Sequence, residues 1–256
     1  MPRVLSAIIG LMLCAPTLAP VHAITGNAPP AGGAVARPIV MVTDPRGNLC
    51  TGTALAPDLV LTAAHCVTGK LSHSVKTFQT GQPVAVRSVA VHPQFNAASY
   101  AVSRATADIA LIKLAAPLQD LVAPAALAPA RRVAVGETLT IAGFGVTAAG
   151  TAHGLGVPRM AKLAVTGKPG SLQIRLVDPA ARNLRSGLGA CTGDSGAPVF
   201  EGENATGVGQ IIGIVSWSTA PGDEEGCGGL TGVTPLILYQ AWIVGTARKF
   251  NSPIGP

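Results

Sequence analysis

Turn-forming residues set the limits on what this chain can fold into. Its 256 residues include 31 glycines and 21 prolines. Between them lie short apolar runs, among them 88–91, 109–114, 138–142 and 210–217. Short runs bounded by Gly, Pro, Asn and Asp read as strands, and many in succession predict antiparallel β-barrels or a β-sandwich. The C-terminus differs. Thr234 can cap a helix, Pro235 suits its first position, and Leu236, Tyr239, Ile243 and Ala247 recur at helical spacing. The length admits one large domain or two small ones, enough to bury a core without a metal.

Hydrophobic residues make up 48% of the chain and charged residues 12%, which argues against disorder. The net charge is +6, but the basic residues are scattered and aromatics are not interleaved with them. That pattern argues against nucleic acid as a partner. Residues 1–23 read as a secretory signal peptide: Arg3 gives a positive start, 4–13 are apolar, and Val21, His22 and Ala23 offer a cleavage site. The stretch is short for a membrane anchor, and Pro16 and Pro20 break it. The expected mature chain, 24–256, is thus secreted or periplasmic, with no membrane partner. Of five cysteines, Cys14 leaves with the signal, and Cys50, Cys66, Cys191 and Cys227 remain. An even number in an exported chain suggests disulfides, with three pairings open. The absence of Cys-x-x-Cys spacing argues against a zinc site.

Three segments carry chemistry. Ser195 lies in Gly193-Asp194-Ser195-Gly196, His65 in Thr62-Ala63-Ala64-His65-Cys66, and Asp108 in Ala107-Asp108-Ile109-Ala110-Leu111. A serine hydroxyl is a weak nucleophile at neutral pH; it needs a base to take its proton, and the base needs a carboxylate to fix its tautomer. Asp108 stands in an otherwise apolar run, where a buried carboxylate costs several kcal/mol unless it is paired. His65 is the obvious partner.

In their order and spacing these motifs resemble the chymotrypsin/trypsin family of serine endopeptidases, over about residues 24–249. Alanine richness suggests a bacterial-type secreted member. The resemblance implies two antiparallel six-stranded β-barrels, about 24–128 and 129–256, with the active site between them and a helix at the C-terminus. It implies His65 as general base, Asp108 as orienting carboxylate and Ser195 as nucleophile, with the N–H groups of Gly193 and Ser195 forming the oxyanion hole. It selects the pairs Cys50–Cys66 and Cys191–Cys227. Ile24-Thr25-Gly26-Asn27 is similar to the family's mature start, so a freed Ile24 amine is expected to pair with Asp194, and signal cleavage after Ala23 would itself create that amine.

The substrate pocket is expected at Gly189, Ser216, Trp217, Ser218 and Thr231. Relatives that cut after Lys or Arg have Asp where this chain has Gly189. Without that carboxylate nothing offsets the desolvation of a buried cation, so cleavage after Lys or Arg is not expected. Ser218 and Thr231 would narrow the entrance, so small or medium apolar side chains are expected before the scissile bond. The 70–79 loop has no carboxylate, so neither calcium nor any other metal or cofactor is expected. The expected partners are peptide or protein substrates, with protein inhibitors as candidates, for a monomeric enzyme. The alternatives are a protease-like binding protein without activity, or an esterase using the same site.

Overall fold

The computed structural model describes residues 24–69, 72–102, 104–118, 122–167, 172–201 and 210–254. The expected signal peptide lies outside them. A short helix α1 (Gly33–Ala36) precedes strands β1 (Ile39–Thr43), β2 (Leu49–Ala56), β3 (Leu59–Thr62), β4 (Ser74–Lys76) and β5 (Pro83–Val91). Helix α2 (Ala97–Ala101) and β6 (Ala110–Leu114) follow. These six strands close into a barrel in the order β1-β2-β3-β6-β5-β4. Their alternation explains the sequence pattern. Val40, Val42, Val60, Ala110, Ile112 and Leu114 fill the barrel. Ile39, Leu59, Leu61, Ile109 and Leu111 point the other way, into a second apolar layer shared with Ala142, Phe144, Phe200, Ile211 and Ile214. Because side chains alternate across a strand, a strand buried on both faces reads as an apolar run, as 109–114 does but for Lys113, whose ammonium donates to Asp58 and Ser252.

The rest of the chain supplies β7 (Ala126–Leu127), β8 (Thr138–Gly143), β9 (Arg159–Thr166), β10 (Ile174–Val177), β11 (Pro198–Glu201), β12 (Gln210–Ser218) and β13 (Thr231–Pro235). Strands β8-β9-β10-β13-β12-β11 form a second closed, six-stranded antiparallel barrel, with β7 added in parallel to β12. The all-β architecture of two barrels and a C-terminal helix is therefore as expected. The shared apolar layer lies between the barrels.

The C-terminal helix begins later than its local signals suggest. Thr234 and Pro235 belong to β13, where Thr234 pairs with Ile214 and Pro235 with Gly213. A 3₁₀ turn over Leu236–Leu238 intervenes, and α3 spans Gln240–Lys249. Sheet pairing thus overrides a good capping sequence. The apolar face is as expected, with Leu236, Tyr239, Ile243 and Ala247 all buried. No helix among the described residues is long and apolar enough to cross a membrane.

The two ends of the described chain cross over. The segment that opens it packs on the second barrel: Thr25 bridges to Gly189, Pro30 to Arg159, and Ile24 and Ala28 sit among second-barrel side chains. The C-terminal region packs on the first barrel. His92 meets Tyr239 and Trp242 edge-on, and Ser252 bonds both Asp58 and Lys113. Residues 24–30 therefore belong spatially to the second barrel, not to the first as expected from their order.

Candidate active site

His65 sits in a single 3₁₀ turn just after β3, and Cys66 beside it is bonded to Cys50 in β2. Asp108 ends a tight turn before β6, with its N–H donated to Thr106 O at 2.8 Å. The first barrel thus brings the two together. The Asp108 side chain is 1% exposed, yet both its oxygens are engaged. Oδ1 accepts the backbone N–H of His65 at 3.0 Å, and Oδ2 lies 2.8 Å from His65 Nδ1 and accepts the Ser216 hydroxyl at 2.5 Å. These bonds offset the desolvation that an isolated carboxylate would suffer. A carboxylate at Nδ1 also selects the Nδ1–H tautomer, which leaves the lone pair on Nε2.

Ser195 lies in the turn before β11, on the second barrel. Gly193 in that turn has φ +98°, a conformation that disfavours any side chain, and a Cβ there would fall 2.9 Å from Gly145 Cα. Neither Gly193 N–H nor Ser195 N–H donates a hydrogen bond among the described residues. The carbonyls of the same two residues are held instead by Thr51 of β2: its N–H donates to Ser195 O and its hydroxyl to Gly193 O, each at 2.8 Å. The turn is therefore fastened from across the cleft with two amides left available. No hydrogen bond joins Ser195 Oγ to His65 among the described residues; His65 Nε2 lies 3.7 Å from Cys66 Sγ.

Asp194 points away from the cleft and is fully buried. Its oxygens accept the N–H groups of Gly145 at 2.8 Å and Cys191 at 2.9 Å. Burial pushes its carboxyl up to about 7, against the pull of those two amides. The approach is so close that a Cβ on Gly143 would come within 2.2 Å of Asp194 Oδ1. Ile24 is also fully buried, in the apolar cluster that holds Ala190 and Ala197, on either side of the Ser195 turn.

A cleft of about 480 Å³ adjoins Ser195. Ser216, Trp217, Ser218, Ala190, Leu155 and Tyr100 are among its lining residues, and none of the lining residues is acidic. Two expected pocket residues are not in its wall. Gly189 is occupied by its bridge to Thr25. Thr231 is fully buried, its hydroxyl accepting Ala190 N–H at 3.0 Å. Thr231 thus shapes the pocket through the Ala190 backbone, not by contact. Ser218 does line the cleft, with its hydroxyl turned to Gly226 O. The second disulfide, Cys191–Cys227, ties the Ser195 turn to the segment before β13.

Thr51, Gly143, Gly145 and Tyr100 escaped the sequence reading. Thr51 adjoins Cys50 and Gly143 flanks Phe144 in a Gly-Phe-Gly triplet, but neither carries a motif whose chemistry is local. His92 is a packing residue. Burial pulls its imidazole below the ordinary value, and its Nδ1 accepts Gln94 N–H. Asp223, Glu224 and Glu225 are exposed, as a solvated loop should be.

Comparison with known proteins agrees with this geometry. The sequence model of the family described as Trypsin matches residues 24–243. A snake venom serine protease of Crotalus durissus durissus is 31% identical over 226 residues, covering 81% of each chain. Snake venom serine protease rhinocerase 4 of Bitis rhinoceros is 29% identical over 217 residues, again covering 81% of each. Among solved structures, human heparin binding protein superposes with a TM-score of 0.68 at 21% identity, covering 90% of this chain and 99% of that one. That last likeness establishes the fold alone. The family match and the two venom relatives go further: this chain belongs to the trypsin family and is a serine-type endopeptidase, a hydrolase of peptide or protein substrates.

Proposed function

We propose that the chain is an exported endopeptidase that cleaves peptide bonds through Ser195, His65 and Asp108 and an acyl-enzyme. The observation that carries this reading is Asp108. It is a buried carboxylate whose acceptors are spent on His65 and Ser216, in a fold that puts His65 and Ser195 on facing barrels. Ser195 Oγ attacks the scissile carbonyl carbon while His65 Nε2 takes its proton, and Asp108 steadies the imidazolium. The carbonyl oxygen, now an anion, accepts the free N–H groups of Gly193 and Ser195. His65 then passes its proton to the departing amine, leaving the acyl group on Ser195. Water, deprotonated by His65, releases the acid. The Ser195–His65 contact closes when substrate fills the cleft, since such bonds are often long in unliganded enzymes.

Two finer points belong to this reading. Among the cleft's lining residues there is no carboxylate to receive Lys or Arg, which disfavours both before the scissile bond. Ser218 in the wall narrows the cleft and favours small or medium apolar side chains there. Freeing Ile24 supplies an ammonium group to Asp194, a buried carboxyl that accepts two amides among the described residues. Signal cleavage after Ala23 performs this step, and the enzyme acts outside the cell as a monomer open to protein inhibitors. The sequence of residues 1–23 and the venom relatives support export.

The test is covalent labelling. A fluorophosphonate probe should form one adduct, located on Ser195 by mass spectrometry and abolished in His65→Ala. A folded, disulfide-bonded chain that takes up no probe would overturn the assignment. Matched peptide libraries and esters then read the side-chain preference; efficient cleavage after Lys or Arg would refute the pocket reading.

A further inference from the structure

Tyr100 lies outside every motif, yet it meets three parts of the candidate active site. It comes from α2, a single turn with no buried residue, capped where Asn96 Oδ1 accepts Ser99 N–H at 2.9 Å. From that exposed turn its ring reaches inward and stacks on the His65 imidazole, with centroids 4.4 Å apart and planes 15° from parallel. Its hydroxyl donates to Ser216 O at 3.2 Å. The Ser216 side chain in turn holds Asp108, and Asp108 holds His65. The contacts close a ring: His65, Asp108, Ser216, Tyr100 and back to His65. Phe95 backs the tyrosine at 6.3 Å. Burial, with the Asp108 charge second, raises the Tyr100 phenol above its ordinary value, so the hydroxyl remains a donor.

We propose that Tyr100 is a positioning residue for His65, holding the plane of the imidazole and fixing it to the strand that carries Ser216. This rests on the reading of His65 as the base. One bond at Nδ1 leaves an imidazole free to tilt about that bond, and Nε2 sweeps the arc. A general base must sit within hydrogen-bond reach of its proton, and misplacement by about 1 Å can cost on the order of a hundredfold in rate. A parallel aromatic face removes the tilt. It also supports the charge that His65 acquires mid-reaction, since a cation is attracted to the face of an aromatic ring. Tyr100 further separates the main cleft from a smaller pocket of about 210 Å³ lined by Arg104, Thr106 and Gln173. Its removal would therefore also merge two binding spaces, and the test must separate that effect from positioning.

A small fluorophosphonate, too short to reach the second pocket, reports the Ser195–His65 chemistry alone. The experiment compares its labelling rate in the full chain with Tyr100→Phe and Tyr100→Ala, alongside kcat and KM on a peptide. Phe keeps the stack but loses the hydroxyl bond to Ser216 O, so its rate should fall between parent and Ala, about threefold below the parent. Ala should label roughly tenfold more slowly or worse, with the loss in kcat. If Ala melts well below the parent, Tyr100→Leu replaces it as a filler without an aromatic face and should also fall below Phe. An Ala or Leu variant that labels at the parental rate and changes KM alone would overturn the proposal and leave Tyr100 as a cleft wall. A parent chain that does not label at all would instead break the assignment of His65 and Ser195, and the proposal would fall with it.

Discussion

The Asp194 carboxyl makes the cost of keeping Ile24 capped measurable. Two versions of the chain are compared, both carrying Ser195→Ala to prevent self-digestion: one begins at Ile24 and the other has two residues before it. In the extended chain Asp194 is fully buried, with two amide donors and no cation among the described residues, and burial lifts it from 3.8 to about 7. At about 1.4 kcal/mol per pH unit between those values, ionising it in the folded state costs about 4 kcal/mol. Below about pH 4 the group is protonated in folded and unfolded chains alike and contributes nothing. As the pH rises toward about 7 the unfolded chain gives up its proton first, so the folded state loses stability, and above that the whole cost is felt. In the chain that begins at Ile24, the amine should supply the missing charge. Its reference pKa of about 8 should rise on pairing, so the offset lasts until the pH passes that raised value. Denaturant unfolding from pH 4 to 8 should show the two chains converging at the acid end. They should diverge by up to about 4 kcal/mol at pH 8, roughly 8–16 °C in melting temperature for a chain of this size. Parallel profiles would refute the argument, because they would mean that the freed amine does not reach Asp194.

Three further outcomes follow from the geometry. Asp108→Asn places an amide where Oδ2 now meets His65 Nδ1 and Ser216; steady-state kinetics should show kcat lower by about 10⁴-fold through the wrong tautomer, with KM little changed. Gly193→Ala forces a side chain onto φ +98° and against Gly145; the tilted amide should lower kcat by about 10²–10³-fold, and unchanged kcat would remove that N–H from the mechanism. Replacing Cys191 and Cys227 together by serine opens a bridge spanning 36 residues; the denaturation midpoint should fall by the equivalent of about 4 kcal/mol in the chain-entropy picture.

What the sequence disclosed divides along the range of the forces involved. The strand pattern and the His65, Asp108 and Ser195 segments were legible because each depends on neighbours within a few residues. The helix start misleads for the same reason. Thr234 and Pro235 have ideal local chemistry for a helix end, but pairing with β12 fixes them as strand. Thr231 reads from the sequence as a pocket-wall residue, but its hydroxyl is spent on Ala190 N–H. The contacts of Thr51 with Gly193 and of Tyr100 with Ser216 join residues 142 and 116 positions apart. A threonine in a strand and a tyrosine in an alanine-rich turn carry no local mark of such partners. Gly143 and Gly145 are glycines because a carboxylate from another segment presses on them, which spacing alone does not reveal.

The crossed ends of the chain bear on how the molecule comes apart. Residues 24–31 are held by Gly189, Pro158 and Arg159, while the stretch after β13 is held by His92, Asp58 and Lys113. Each barrel is thereby clasped by a strand of chain that is continuous with the other, and a shared apolar layer fills the gap between them. Neither half can open without stripping the clasp from its neighbour. Such an arrangement favours a single cooperative transition over stepwise loss of domains. A protease nick in the linker between the barrels would then leave the two fragments bound to one another, with the facing walls of the cleft still in register.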